Sequence, residues 1–270
     1  MRTRAARRLL PSALLSLLAA TAASCALPLP LGTRDAGGVY MILAVRAEAD
    51  GLEQSVSQAA QVIDTRCEYL GVRCRFEPLG SAGSGRMKLS VSGSRDTQRL
   101  KAVLLAEGKL ELRPVVSPPS PAHLQTYRTR EDAARAAGPR NDVVPFDEEG
   151  TAPAFVVVER EPVVAGPDLR DASAVAGTDP AGTDYKVSFT LRPMGAYRFG
   201  EWTGANINRY IAVVLNGRAR SVPYIRSQIT DRGQIDGRFT REQAEDVALT
   251  LRSGSLPAPV EVLEEGAYGP

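Results

Sequence analysis

The 270-residue chain has one histidine, three cysteines, one tryptophan and only 6% aromatic residues. Its single imidazole, His123, stands beside a proline-rich break, so a Ser-His-Asp triad would have to form around a poorly placed residue. No Cys/His set has zinc-ligand spacing. No catalytic, metal-ligating or cofactor-binding residue is expected, and the chain does not read as an enzyme. The glycine-rich run Gly80 to Gly85 lacks the helix that must follow a phosphate cradle, so it reads as a hairpin loop. The segment Gly177 to Tyr185 offers Asp179 and Asp184 without the order of an EF-hand, and reads as a solvated turn. Excess charge is also scarce: 33 Lys and Arg against 31 Asp and Glu give +2. Arg2, Arg4, Arg7 and Arg8 fall in the first eight positions, and subtracting those four charges leaves −2 for the remainder. Nucleic acid is therefore not an expected partner.

Only one long apolar stretch is present, Leu9 to Ala23, interrupted by Pro11, Ser12, Ser16 and Thr21. It falls short of the roughly 20 residues a membrane-spanning helix needs. A basic start, an apolar middle and small residues read together as a secretory signal over residues 1–24, so the protein is expected to be exported to the cell envelope. Ala22-Ala23-Ser24 before Cys25 resembles a bacterial lipobox, in which the cysteine receives lipid, although Ala22 stands where that motif has leucine. Lipidation of Cys25 is the preferred reading; cleavage after Ala20-Thr21-Ala22 and an uncleaved anchor are the alternatives. A tether over residues 25–37 would reach at most roughly 40 Å.

With 43% hydrophobic and 24% charged residues, the remainder can bury a real core. Gly38 to Val45 is apolar on both faces, as in a central strand. Leu52, Val56, Ala59, Ile63, Cys67 and Leu70 recur at helical spacing, with Gly71 placed to close the helix. Two alternating strands, a short helix from about Asp96 to Glu107 and the run KLELRPVV complete a β-α-β-β-α-β order over residues 38–116. The expected fold class is α+β: a ferredoxin-like base of this order plus an inserted α+β head. Residues 117–154 read as a proline-containing linker and a peripheral segment, with a helix and loop at Gln125 to Asn141. Residues 155–254 form the head, with strands at Phe155 to Glu159 and Tyr185 to Leu191 and a helix near Gly195 to Ile207. Asn216-Gly217 marks a type I′ hairpin, and Thr240 with Gln243 makes a capping box. Residues 255–270 supply a strand that returns to the base.

These residues resemble the large first periplasmic domain of SecD and of fused SecDF, the membrane accessory of the bacterial protein-export channel. Carrying the resemblance are LRSGSLPAPVEVLEEGAYGP (Leu251 to Pro270), FTREQAEDVA (Phe239 to Ala248), IAVVLNGRARSVPYI, GAYRFGEWTGANI (Gly195 to Ile207), YLGV near residue 70 and GKLELRPV (Gly108 to Val115). Two departures stand out. Gly32 to Gly38 keeps the family's glycines but shifts its Asp by one, and Asn208 replaces a usual Gly. The chain stops at Pro270, where the family enters its remaining membrane helices, so proton-driven coupling is expected to lie outside this polypeptide. The resemblance implies an exported module on the periplasmic side of a membrane that binds unfolded polypeptides or export-channel components. The alternative is an envelope lipoprotein that scaffolds one folded partner. Cys67 and Cys74 could form a disulfide or pack as two thiols. Phe199 and Trp202 could line a peptide-binding surface, but their spacing favours the core.

Overall fold

The computed structural model describes residues 37–81, 83–117, 123–146, 154–178 and 184–269. The signal segment, Cys25, the tether up to residue 36, Asp179 and most of the proline-rich break lie outside the described residues. In chain order the elements are β1 (Gly38–Val45), α1 (Leu52–Leu70), β2 (Arg73–Leu79), β3 (Arg86–Ser92), α2 (Thr97–Leu104) and β4 (Leu110–Pro114). There follow α3 (Arg130–Ala137), β5 (Asn141–Phe146), β6 (Ala154–Glu159), β7 (Val164–Ala165), β8 (Leu169–Ala176) and β9 (Tyr185–Leu191). The last six are α4 (Pro193–Ala205), β10 (Ile211–Leu215), β11 (Arg218–Ser221), β12 (Arg232–Phe239), α5 (Arg241–Ser253) and β13 (Val260–Tyr268).

The base is a four-stranded antiparallel sheet in the order β13-β1-β3-β2. Val39, Met41, Leu43 and Val45 alternate along β1 onto one face, where they pack with Met87, Leu89 and Val91 of β3. Ala59, Ile63 and Cys67 of α1 and Leu100 and Leu104 of α2 cover that face. Gly71, at φ 68°, closes α1 in the left-handed region. A disulfide joins Cys67 to Cys74 with their Cα atoms 6.1 Å apart, tying the end of α1 to the strand that follows. One expectation needs correction. KLELRPVV does not close this sheet: β4 pairs with β10 and β7, and β13 occupies the place beside β1. The physical reason lies in β10, which is buried at all five positions and needs neighbours on both edges. Strand β4 supplies one of them, with Leu110 and Leu112 facing the core of the head.

The head holds a six-stranded sheet, β6-β5-β11-β10-β4-β7, and a three-stranded sheet, β12-β9-β8. Between them lies the larger core: Leu112, Ile211, Val213 and Leu215 from one side meet Val187, Phe189, Leu191 and Ile235 from the other. Helix α5 adds Ala244, Ala248 and Leu251 to that core, and α4 adds Phe199. The stretch read as linker and peripheral segment contains the expected helix as α3. It also contains β5, which enters the six-stranded sheet between β6 and β11. The hairpin turn has Asn216 at φ 50° and Gly217 at φ 75°, the left-handed pair that a type I′ turn requires. The α5 cap is reciprocal: Gln243 N donates to Thr240 Oγ1 at 3.2 Å and Thr240 N donates to Gln243 Oε1 at 3.0 Å.

Candidate functional site at the junction of base and head

Base and head meet where α5 lies against α1 and α2. Beneath the junction sits Arg66 of α1, with no exposed surface. Its guanidinium faces the carboxyl-terminal ends of two helices at once. Nη1 donates to the carbonyls of Val103, Leu104 and Ala106 at 3.1, 2.8 and 2.6 Å, below α2. Nε donates to Ser253 Oγ at 3.0 Å and Nη2 to the Gly254 carbonyl at 2.9 Å, below α5. These are the orphan carbonyls that a helix leaves at its end, where a positive charge is favourable. Burial pulls the Arg66 pKa down to about 10, so it stays charged at neutral pH without a carboxylate partner. Gly108 leaves room for this guanidinium: a Cβ there would lie 2.9 Å from Arg66 Nη2, on a backbone at φ +67°.

Above this anchor the junction opens into a cleft of about 380 Å³. One wall is Ala102, Val103 and Ala106, from α2 and the turn after it. The opposite wall is Val247 and Thr250 of α5, with Leu215 and Phe239 contributing apolar surface from the head. Across the junction, Arg99 of α2 pairs with Glu242 at 2.8 Å and with Asp246 at 3.0 Å, both on α5. The Asp246 hydrogen bond, followed by the nearby acids, raises the Arg99 pKa. On the β11 side Arg220 also lines the cleft, and its guanidinium has no partner among the described residues. The hairpin turn is fixed in place, since Lys109 N donates to Asn216 Oδ1 at 3.0 Å and Asn216 N donates to the Lys109 carbonyl at 2.9 Å. The cleft can therefore take a small apolar group, with a cation at one side for an acidic or carbonyl neighbour.

A second exposed apolar feature lies on the head. Met194 and Tyr197 of α4 are 68% and 65% exposed, one helical turn apart, and Ile207 beyond the helix is 46% exposed. Phe199 instead belongs to the core, and Trp202 packs partly buried against it. His123 is exposed. Among the described residues no group of three or more His, Cys, Asp or Glu could hold a metal ion. No helix among them is long and apolar enough to cross a membrane. The cleft residues were not legible as a set, because α2, β11 and α5 are far apart in the chain. Arg66 did leave a signal, a charge beside Cys67 and three residues after Ile63 on an otherwise apolar helix face.

Comparison with known proteins bears on the whole described region. Residues 141–258 match the family model for the SecDF P1 head subdomain. The chain is 34% identical over 219 residues to the protein translocase subunit SecD of Aquifex aeolicus, covering 81% of this chain and 40% of that protein. It is 34% identical over 239 residues to SecD of Koribacter versatilis, covering 86% of this chain and 43% of that one. A crystal structure of SecDF in a super-membrane-facing form is similar at a TM-score of 0.66 and 30% identity, over 86% of this chain and 30% of that chain. A structure described as a membrane component SecDF that enhances protein export matches at a TM-score of 0.61 and 29% identity, over 83% of this chain and 98% of that chain.

Proposed function

Because the chain belongs to the SecD/SecDF family, in the region of that family's first periplasmic domain, we propose that it is an export accessory whose cleft receives unfolded polypeptide segments. The observation that carries this reading is the cleft itself, walled by base and head together, with apolar sides and Arg220, whose guanidinium has no partner among the described residues. An extended chain offers apolar side chains and carbonyl groups at every few residues, whereas a folded protein keeps most of them inside. A shallow site of this kind grips generic sequence weakly. Weak and repeated grip suits the task, because each bound segment opposes backsliding and biases random motion in one direction. The chain spans 40% of the Aquifex relative, and the role proposed for it is binding alone, without energy coupling.

The full chain is expected to bind a fluorescent, permanently unfolded polypeptide in preference to a folded protein of equal charge. Val247→Asp, which places a carboxylate on the apolar wall, is expected to weaken that binding about ten-fold, consistent with the cost of exposing a charge where an apolar group should dock. Equal binding of folded and unfolded chains, or an unchanged affinity in Val247→Asp, would overturn the reading. Cys25 would carry the lipid that holds the module on the outer side of a membrane, and intact-mass analysis of the membrane fraction checks this. A mature chain that begins elsewhere and bears no acyl mass would refute it. The α4 stripe of Met194 and Tyr197 favours a second reading, a scaffold for one folded partner. Crosslinking in cells separates the two: many nascent clients support the first, a single stoichiometric partner the second.

A further inference from the structure

The base sheet buries one face beneath α1 and α2 and turns the other outward. On the outward face, paired residues form rows across the four strands. The first row is Tyr268, Gly38, Ser92 and Arg73, and the second is Gly266, Tyr40, Ser90 and Arg75. Neither contains an acid. Acids begin in the third row, Glu264, Ile42, Lys88 and Glu77. Tyr40 reaches toward that row and donates its hydroxyl to Glu264 at 2.8 Å. Charge is therefore sorted along the strands, not scattered over the face.

The first row is also where the chain enters and leaves the sheet, since Gly38 begins β1 and its partner Tyr268 ends β13. The chain passes to the head at the other end of the sheet, where Val45 pairs with Val260 and the Arg46 N–H donates to the Pro259 carbonyl at 2.9 Å. The basic, acid-free rows thus lie at the end of the sheet that adjoins residues 1–37. Arg73 and Arg75 are both exposed on the edge strand β2, and neither guanidinium has a partner among the described residues. Two residues apart on a strand, they project to the same side about 7 Å from each other. Ser92 and Ser90 lie directly opposite them, adding hydroxyl donors, and tyrosine rings complete both rows.

We propose that Arg73, Arg75, Ser90 and Ser92 form a contact site for the phosphate headgroups of an anionic membrane surface, standing the base on the bilayer with the head held away. Two unpartnered guanidiniums with neighbouring hydroxyls match phosphate oxygens in charge and in donor count. Basic residues close to an anionic leaflet are attracted to it individually, and tyrosines suit the interface. The occupant follows from where the chain leads. The 37 residues before Gly38 read as a signal followed by Cys25, and the lipid proposed for Cys25 would hold the base within the reach of the 25–37 tether from a membrane; the occupant rests on that reading. Edge arginines also guard strands against pairing with other sheets. That role would not require acids to be absent from the two rows nearest the chain ends.

The test uses residues 35–270, which form one compact unit and correspond in extent to a solved SecDF chain matched over 98% of its length. This fragment, which lacks the amino-terminal segment, is titrated with vesicles of phosphatidylcholine alone or with about one-third phosphatidylglycerol. Binding is expected only with the anionic lipid, falling as salt rises. Arg73→Gln/Arg75→Gln is expected to weaken it about thirty-fold, and Arg73→Lys/Arg75→Lys to keep most of it. Arg86→Gln/Lys88→Gln removes the same charge from rows that contain acids, and is expected to cost less than about three-fold. No preference for anionic lipid would overturn the proposal, as would equal losses in the two glutamine variants. Displacement by millimolar inorganic phosphate would make the site one for a free anion and would also overturn it. A glutamine variant that aggregates, beside a lysine variant indifferent to lipid charge, would assign the arginines to edge protection instead.

Discussion

Arg66 joins three helices through one side chain, and its removal would leave the carbonyls of Val103, Leu104, Ala106 and Gly254 without their donor. Buried acceptors deprived of a partner cost about 1–3 kcal/mol each before relaxation. Arg66→Met is therefore expected to lower stability by about 3 kcal/mol or more, read as a shift of the urea midpoint. Arg66→Lys should recover only part of this, because three donors on one nitrogen cannot span both helix ends. A loss below about 1 kcal/mol in Arg66→Met would show that the helix ends are satisfied otherwise. Asp142 offers a check by pH. Its hydrogen bond from Arg113, 2.5 Å long, followed by the charges of Arg113 and Arg160, holds its pKa below the usual carboxylate range. A depressed folded-state pKa contributes stability that is complete above the unfolded value, near 3.9, and is lost as pH falls through the folded value. The stability difference between wild type and Asp142→Asn should hence be constant near neutrality and shrink below about pH 4. A difference that persists unchanged into acid would contradict this. Asn208 resolves an oddity of the sequence at the same scale. It stands where relatives were expected to have Gly, and its φ of 70° lies in the left-handed region, which asparagine tolerates better than most residues. Tyr224 also donates its hydroxyl to Asn208 Oδ1 at 3.1 Å, a contact that glycine could not make.

At the scale of elements, local chemistry was readable and long-range pairing was not. The helix α1 with its Gly71 stop, the β10–β11 turn at Asn216-Gly217 and the Thr240 cap are written in residues a few positions apart. Each lies where the sequence places it. The assignment of KLELRPVV to the base failed because an alternating strand fits any sheet that offers an apolar face. Only the fully buried β10 determines which sheet recruits it. Strands β5, β8 and β12 were unread for related reasons. Strand β5 carries Pro145, and β12 is rich in Arg, Gly, Gln and Asp, so both lack the apolar alternation that marks a strand. The cleft inherits this limit, since its walls come from elements brought together only by those pairings. Base composition can be tested with fragments. Residues 38–116 lack β13 and leave one edge of β1 bare, so this fragment is expected to show no cooperative thermal transition. The Leu256 N–H donates to the Glu107 carbonyl at 2.8 Å, so a short glycine linker from residue 107 to residue 253 can replace the head. That fusion of residues 37–107 with 253–270 should unfold cooperatively. Cooperative folding of 38–116 alone would refute the assignment of β13 as a required strand.

At the scale of the whole molecule, the head joins the base at one end of the base's four strands. Gly38, where β1 begins, and Tyr268, where β13 ends, lie together at one end of the base sheet, and the passages to and from the head lie at the other. Between these poles sits the junction, held from below by Arg66 and across α2 and α5 by Arg99 with Glu242 and Asp246. Any segment that fills the cleft touches both parts at once, so its occupancy and the relative setting of base and head are thermodynamically linked. Salt-bridge substitutions such as Arg99→Gln would act on that linkage more than on stability, since the pair is largely exposed. The central claim is that unfolded polypeptide enters this cleft. Its most direct test is a photocrosslinking side chain placed at Val247 in the full chain, with a matching probe at Ile42 on the outward base face as a control. Irradiation with an unfolded client should crosslink at Val247, weakly or not at all at Ile42, and the signal should vanish when the client is folded. Equal crosslinking at both positions, or to folded and unfolded clients alike, would contradict the account.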